Sequence, residues 1–387
     1  MQPRSAAFPA SEHKERLARA RAALKSARID ACLMVAPENV YYFGGYESWV
    51  GVNSPQFLIF TPGDDAPTII LRNVDVPLAR ETTWVGDVRS YHLHTDDVAA
   101  AVHEILKGKG VSKGRIAVEL QSYAFSHAMG RQLEKSLGGM ELVDATELLG
   151  DLRLIKSPAE IAMLEQAALF TQAGLDAVHG KLKADMTEIA LAAEIEGAMR
   201  HAGSDYWAIP TELASGWRSP GGHATPRDKV IEPGDLVHVE FAGVSHRYHT
   251  TALQTLAVGK PSARAREIYD IALQSLRAGI AAVKPDAPVA DVEEASLEPL
   301  RAAGIEHSAM MRFGYGIGIA YPPVWLETLQ ISRGFDRRLK PGMVFVLHSC
   351  VELEDEGIGI VQGGTYLMEK DGLRMLAGAG DADLKVL

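Results

Sequence analysis

The run Lys156-Ser157-Pro158-Ala159-Glu160 constrains the fold more than any other stretch of comparable length. Ser157 suits a helix N-cap. Pro158 suits the first helical position, where a missing N–H costs nothing, and Glu160 can reach back to close a capping box. Helical periodicity then continues to about residue 180. So sharp a helix start near Ile155 divides the 387 residues into two parts, each of ordinary domain size. Before the break, strands at 31–36, 57–61, 68–71 and 115–119 alternate with helices at 12–28, 96–108 and 124–137. Residues 37–39 and 62–65 read as turns. This order predicts an α/β domain over 1–155, built on a parallel or mixed sheet. Beyond the break, helices at 187–202 and 262–283 accompany strands at 236–242, 247–257, 343–351 and 358–368.

Charge excludes some functions. With 39 basic and 50 acidic residues the formal net charge is −11. Such a chain repels phosphate backbones and anionic lipid, so neither nucleic acid nor a membrane surface is an expected partner. The basic stretch 14–21 is interleaved with Glu15, Leu17 and Ala18 and reads as a solvated helix face. No run approaches the roughly 18 apolar residues of a membrane span. The first residues lack the apolar core of a signal peptide. A cytoplasmic location is expected, and Cys32 and Cys350, each within an apolar run, read as buried free thiols.

Residues 236–242 alternate, with Val237, Val239 and Phe241 on one face and His238 and Glu240 on the other. His223, His246, His249, His348 and Glu327 fall in the same half of the chain. Ionisable groups in apolar strands are costly unless paired, so the group is a candidate site. Taken singly, each also reads as a satisfied structural residue; the clustering favours the functional reading. The glycines at 314, 316 and 318 lack the strand–helix context of a nucleotide fingerprint.

Several segments carry a resemblance. They are Asn39-Val40-Tyr41-Tyr42-Phe43-Gly44-Gly45-Tyr46, Leu154-Ile155-Lys156-Ser157-Pro158-Ala159-Glu160-Ile161, Ser215-Gly216 through Gly222-His223 and Pro226, Gly234-Asp235-Leu236, Gly314-Tyr315-Gly316-Ile317-Gly318 and Lys340-Pro341-Gly342-Met343-Val344-Phe345. Each is weak alone, but their order and spacing are specific. The chain resembles the creatinase/aminopeptidase P (M24, pita-bread) superfamily, and within it the metal-independent creatinase and ectoine hydrolase branch. Arg247-Tyr248-His249 and Tyr321-Pro322-Pro323-Val324-Trp325-Leu326-Glu327 are similar to segments of the ectoine hydrolases. The resemblance implies a creatinase-type α/β domain over 1–155 and an α+β pita-bread catalytic domain over 156–387. It also implies a homodimer in which loop 46–53, with Trp49, reaches the neighbour's pocket.

Metallopeptidases of this fold hold two metals with two Asp, one His and two Glu. Alignment of motifs puts Glu240, Thr251, Tyr315 and His348 at four of these positions and Gln362 near the fifth. One carboxylate, one imidazole, a hydroxyl, a phenol and an amide cannot neutralise two adjacent divalent ions, so no metal or other cofactor is expected. A single ion on His223, Glu240 and His348 is the alternative the residues leave open. By resemblance to creatinase, His223 shuttles the proton, a task suited to imidazoles, which as a class titrate near neutral pH. The other reading of His223 is a structural residue in a glycine-rich loop. Glu240 orients the imidazole, acts as base toward water or attacks as nucleophile, and His348 completes the catalytic set. Tyr315, Gln362, Trp325, Glu327, Arg247, His249, Trp217 and Trp49 are expected to bind the substrate; the tryptophans equally suit domain packing. The expected activity is metal-independent hydrolysis of a C–N bond (amidine, guanidine or amide) in a small polar molecule, ectoine- or creatine-like. A metal-dependent Xaa-Pro peptidase or metallo-lyase of the same fold, and a non-catalytic binding protein, are the competing readings.

Overall fold

A computed structural model describes residues 4–387. Contacts divide the chain into two compact units, with Arg153 ending the first and Leu154 beginning the second. In the first unit, β1 (Ala31–Met34), β2 (Phe57–Phe60), β3 (Thr68–Arg72), β4 (Asp87–Tyr91), β5 (Arg115–Val118) and β6 (Glu141–Asp144) form one sheet ordered β4-β3-β2-β1-β5-β6. The sheet is mixed: β2 runs antiparallel to β1 and β3, and the other pairs are parallel. β1 and β2 are buried along their whole length, as continuous apolar runs are in covered sheets. The helices Val98–Gly108 and His127–Leu137 set Val102, Ile105, Met129 and Leu133 against Leu33, Ile59 and Ile116.

One turn is corrected. Residues 37–39 open a helix, Pro37–Gly44, which ends on Gly45 in the left-handed conformation. Pro suits the first helical position as well as a turn. The Glu119 carboxylate, 83 residues away in sequence from Ala36, accepts its N–H at 3.0 Å and tips the balance toward helix.

The second unit starts with the helix Pro158–Lys181, whose capping box of Ser157 and Glu160 forms as expected. Further helices are Glu188–Ala202, Ala263–Ala282 and Val289–Ala302. The strands are β7 (Glu212–Ser215), β8 (Leu236–Ser245), β9 (Tyr248–Ala257), β10 (Gly314–Tyr321), β11 (Val324–Ile331), β12 (Val344–Leu353), β13 (Ile358–Glu369), β14 (Gly372–Gly378) and β15 (Lys385–Val386). Their sheet runs β11-β10-β12-β13-β9-β8-β7, β14 adds to β13, and an extra β9–β10 pairing closes four strands into a ring. Val237, Val239 and Phe241 of β8 pack with Leu175, Leu191 and Ile195 of the helices. Strand alternation therefore turns His238 and Glu240 to the opposite, inner face. The first helix lies so close to β8 that a Cβ at Gly243 would stand 2.4 Å from the Ala167 carbonyl. Among the described residues no helix is long and apolar enough to cross a membrane.

Candidate active site

The inner face of β8 meets β7 with Glu212 directly opposite Glu240. The Tyr315 hydroxyl on β10 donates to Glu240 Oε1 at 2.9 Å, and Trp325 Nε1 on β11 donates to that hydroxyl at 3.1 Å. Burial raises both carboxyl groups well above the ordinary range. For Glu212 the neighbouring Glu240 carboxylate adds to the effect, while the Tyr315 hydrogen bond partly offsets it for Glu240. The pair thus holds a proton near neutral pH and titrates as a unit. Because the folded-state values lie above the unfolded ones, stability from the pair is fully present below the ordinary carboxyl range and is lost as pH rises through and past neutrality. Melting curves at about pH 6 and about pH 9 are expected to show a smaller alkaline loss in Glu212→Gln than in the parent. Equal losses would mean that the two groups share no proton.

His348 and Cys350 lie two residues apart on β12 and share one face. Nδ1 of His348 and Sγ of Cys350 are 3.1 Å apart, and the imidazole and Tyr315 ring centroids are 5.8 Å apart. Burial lowers the His348 pKa to about 4, with Arg312 and His223 adding to the effect. Burial also raises the Cys350 thiol well above its usual value, helped by the carboxylates of Glu240, Glu352 and Glu212. At rest this is a neutral thiol beside a neutral imidazole.

The β12–β13 register corrects Gln362. His348 is opposite Gly363, and Ser349 is opposite Gln362, so Gln362 points to the outer face. There it donates to the Gly380 carbonyl at 2.9 Å and accepts from Thr255 N–H at 3.2 Å. A Cβ at Gly363 would lie 2.1 Å from the Leu347 carbonyl oxygen, so only glycine fits opposite His348.

His223 is exposed on the loop between β7 and β8. The preceding Gly222 donates its N–H to the Glu352 carboxylate on β12, and His223 acts electrostatically on both Glu352 and His348. Trp217, 75% exposed, lines with Pro220, Ala224, Met310 and Glu352 an open cleft of about 650 Å³ beside this loop.

Three residues expected to bind substrate are bound by the protein itself. His249 accepts from Ala208 N–H at Nε2 (3.0 Å), so its Nδ1–H donates to the Arg247 carbonyl at 2.8 Å. That fixes a neutral tautomer, and burial lowers its pKa further. The Arg247 guanidinium stacks 3.8 Å from the centre of the Tyr206 ring and donates to the Ala320 carbonyl at 2.8 Å. Glu327 is paired with Lys156 at 2.5 Å, with both side chains 1% exposed. Their polar atoms fasten neighbouring segments of the second unit to one another. His246 is exposed at the tip of the β8–β9 hairpin, with φ of 46°. Trp49 belongs to the first unit, where it is exposed. Sequence reasoning missed Glu212, Glu352 and the Cys350–His348 contact. Alternation in 348–352 was the available signal for the last two; Glu212 shows only through strand pairing.

The positions aligned with a metal pair do not fit one. Glu240 is engaged by Glu212 and Tyr315, the position facing His348 is a glycine, and the fully buried Thr251 hydroxyl is neutral. Among the described residues no three His, Cys, Asp or Glu side chains converge as a ligand set, which also leaves His223, Glu240 and His348 without a common metal position.

Residues 162–372 match the model of metallopeptidase family M24, and residues 16–155 match the creatinase/prolidase N-terminal domain. An Xaa-Pro dipeptidase of Pyrococcus furiosus is 26% identical over 94% of this chain and 97% of its own length. An ectoine hydrolase of Halomonas elongata is 27% identical over 96% of each. The solved structure of a prolidase from Thermococcus sibiricus superposes with a TM-score of 0.87 at 20% identity, covering 97% of this chain and 99% of that one. The expected architecture, an α/β domain followed by a pita-bread domain, is the one found.

Proposed function

We propose, from the premise that this chain belongs to metallopeptidase family M24 and is a hydrolase of that family, that it cleaves a C–N bond of a small polar amidine, guanidine or amide without a metal. One observation carries this reading. Glu240, the one carboxylate among the five aligned positions, already has the Tyr315 hydroxyl and the Glu212 carboxyl as partners. A buried carboxyl pair holding a proton is an acid–base device and a poor cation site. The pair protonates the departing nitrogen and takes a proton back from water. Tyr315, oriented by Trp325, donates to charge that builds on the pair. His223, exposed beside Glu352, exchanges protons between this buried pair and solvent. The Trp217 cleft suits the flat face of an amidinium or guanidinium cation.

The test is a turnover screen of ectoine, creatine and Gly-Pro with and without EDTA. Turnover of an amidine or guanidine within about twofold of its chelator-free rate is expected, since no step uses a Lewis acid. Gly-Pro hydrolysis abolished by EDTA and restored by manganese would establish the second reading, a metal-dependent Xaa-Pro dipeptidase, which the Pyrococcus furiosus relative favours.

A further inference from the structure

We infer that Glu188 is the residue that positions His223, acting through Arg218; the inference rests on the reading of His223 as the proton carrier of this site. Glu188 opens the helix Glu188–Ala202, and its side chain is fully buried. Its Oε1 accepts from the Ser215 N–H and from the Ser215 hydroxyl, both at 2.8 Å. Its Oε2 accepts from the Arg227 N–H at 2.9 Å and from Nη1 of Arg218. Ser215 is the last residue of β7, and Arg227 lies on the return to β8. One carboxylate therefore holds both limbs of the loop that carries His223.

Arg218 completes the tie. Its guanidinium meets Glu188 with Nη1 and donates from Nη2 to the Thr225 carbonyl at 3.0 Å, spanning the loop from one limb to the other. A planar fork can bridge two acceptors in this way, whereas an ammonium is a single point of charge. The helix start adds to the same limb, with the Glu188 N–H donating to the Lys229 carbonyl and the Ile189 N–H to the Arg227 carbonyl, each at 3.1 Å. The crown of the loop is seated separately. Ser219 Oγ accepts from the Gly359 N–H at 2.9 Å, and Gly222 donates to Glu352. Among the described residues none hydrogen-bonds the exposed His223 ring, so its place depends on the loop backbone.

An exposed loop wanders unless its base is fixed, and a misplacement of about 1 Å at a reacting group can cost about 100-fold in rate. A buried carboxylate with four donors is a strong fixture, because hydrogen bonds to a charged acceptor are stronger than neutral ones and burial shields them from water. The contacts of this carboxylate are all with the loop and its two ends. Glu188 thus acts through His223 and is a positioning residue.

The test is a double-variant cycle in the full chain, read by kcat and by hydrogen–deuterium exchange of the peptide spanning 216–227. Glu188→Gln keeps the shape of the side chain and removes its charge. Exchange of that peptide should rise at least about fivefold, with peptides from β12 and β13 unchanged. The same variant should lower kcat about 10- to 100-fold on whichever C–N substrate the parent hydrolyses. In a His223→Ala background the substitution should cost less than about twofold, because the group it positions is gone. A residue that merely stabilised the fold would lower kcat equally in both backgrounds. Arg218→Lys keeps the charge, gives up the bridge to Thr225 and should loosen the loop to an intermediate degree, which preserves the test should Glu188→Gln not fold. Unchanged exchange in both variants, or losses that multiply across the cycle, would overturn the inference. Parental turnover in His223→Ala would overturn it too, with the hydrolase reading intact. A parent that turns over no C–N substrate would sink the hydrolase reading alone, and exchange would then decide whether Glu188 holds the loop.

Discussion

His223→Ala is expected to lower kcat by about 10²- to 10⁴-fold while leaving the melting temperature within about a degree of the parent, the range usual for loss of a general acid–base group. The two halves of that outcome have separate causes. His223 is exposed on a loop and contributes to no hydrophobic core, so its removal opens no cavity. Its place beside Glu352, and its electrostatic reach to His348, put it on the route between solvent and the buried proton-holding pair. Added imidazole is expected to restore part of the rate, which a purely structural histidine would not allow. Near-parental turnover in His223→Ala would remove it from the mechanism.

The largest expected stability effect lies at Lys156 and Glu327. Both side chains are 1% exposed and 2.5 Å apart, and a Cβ at Gly318 would stand 2.5 Å from the Glu327 carboxylate. Glu327→Gln removes one charge and leaves the other buried, which costs roughly 3–5 kcal/mol. For a unit of this size that is a melting shift of roughly 6–20 °C. The paired replacement Lys156→Met with Glu327→Leu removes both charges and should recover more than half of the loss, because well-packed apolar groups can replace a buried ion pair. Calorimetry of the single and double variants measures both. A single variant that melts with the parent would show that the pair is not desolvated as described.

Both predictions depend on distinguishing residues that face the pocket from residues that hold it together, and the sequence drew that line only in part. The helix start at Ser157-Pro158 and the alternation around Glu240 were legible because capping chemistry and strand period are local. The same locality misassigned Gln362. A one-residue uncertainty in a strand reverses the face, and only the pairing of His348 with Gly363 resolves it. Arg247, His249 and Glu327 show the other limit. Their side-chain types are those of binding residues, yet the partners that satisfy them, Ala320, Ala208 and Lys156, lie 41 to 171 positions away.

By itself, then, the sequence determined the two-domain order, the helix and strand periods, the family landmarks and the shortage of carboxylates at the aligned metal positions. These follow from residue identity and near-neighbour spacing. Tertiary structure decided that Glu212 stands directly opposite Glu240, that Gln362 points away, and that the Cys350 thiol stands against an imidazole in the pocket. Strand pairing brings distant segments within hydrogen-bonding distance in a low-dielectric interior, where a neighbour sets a side chain's protonation and role more strongly than its type does.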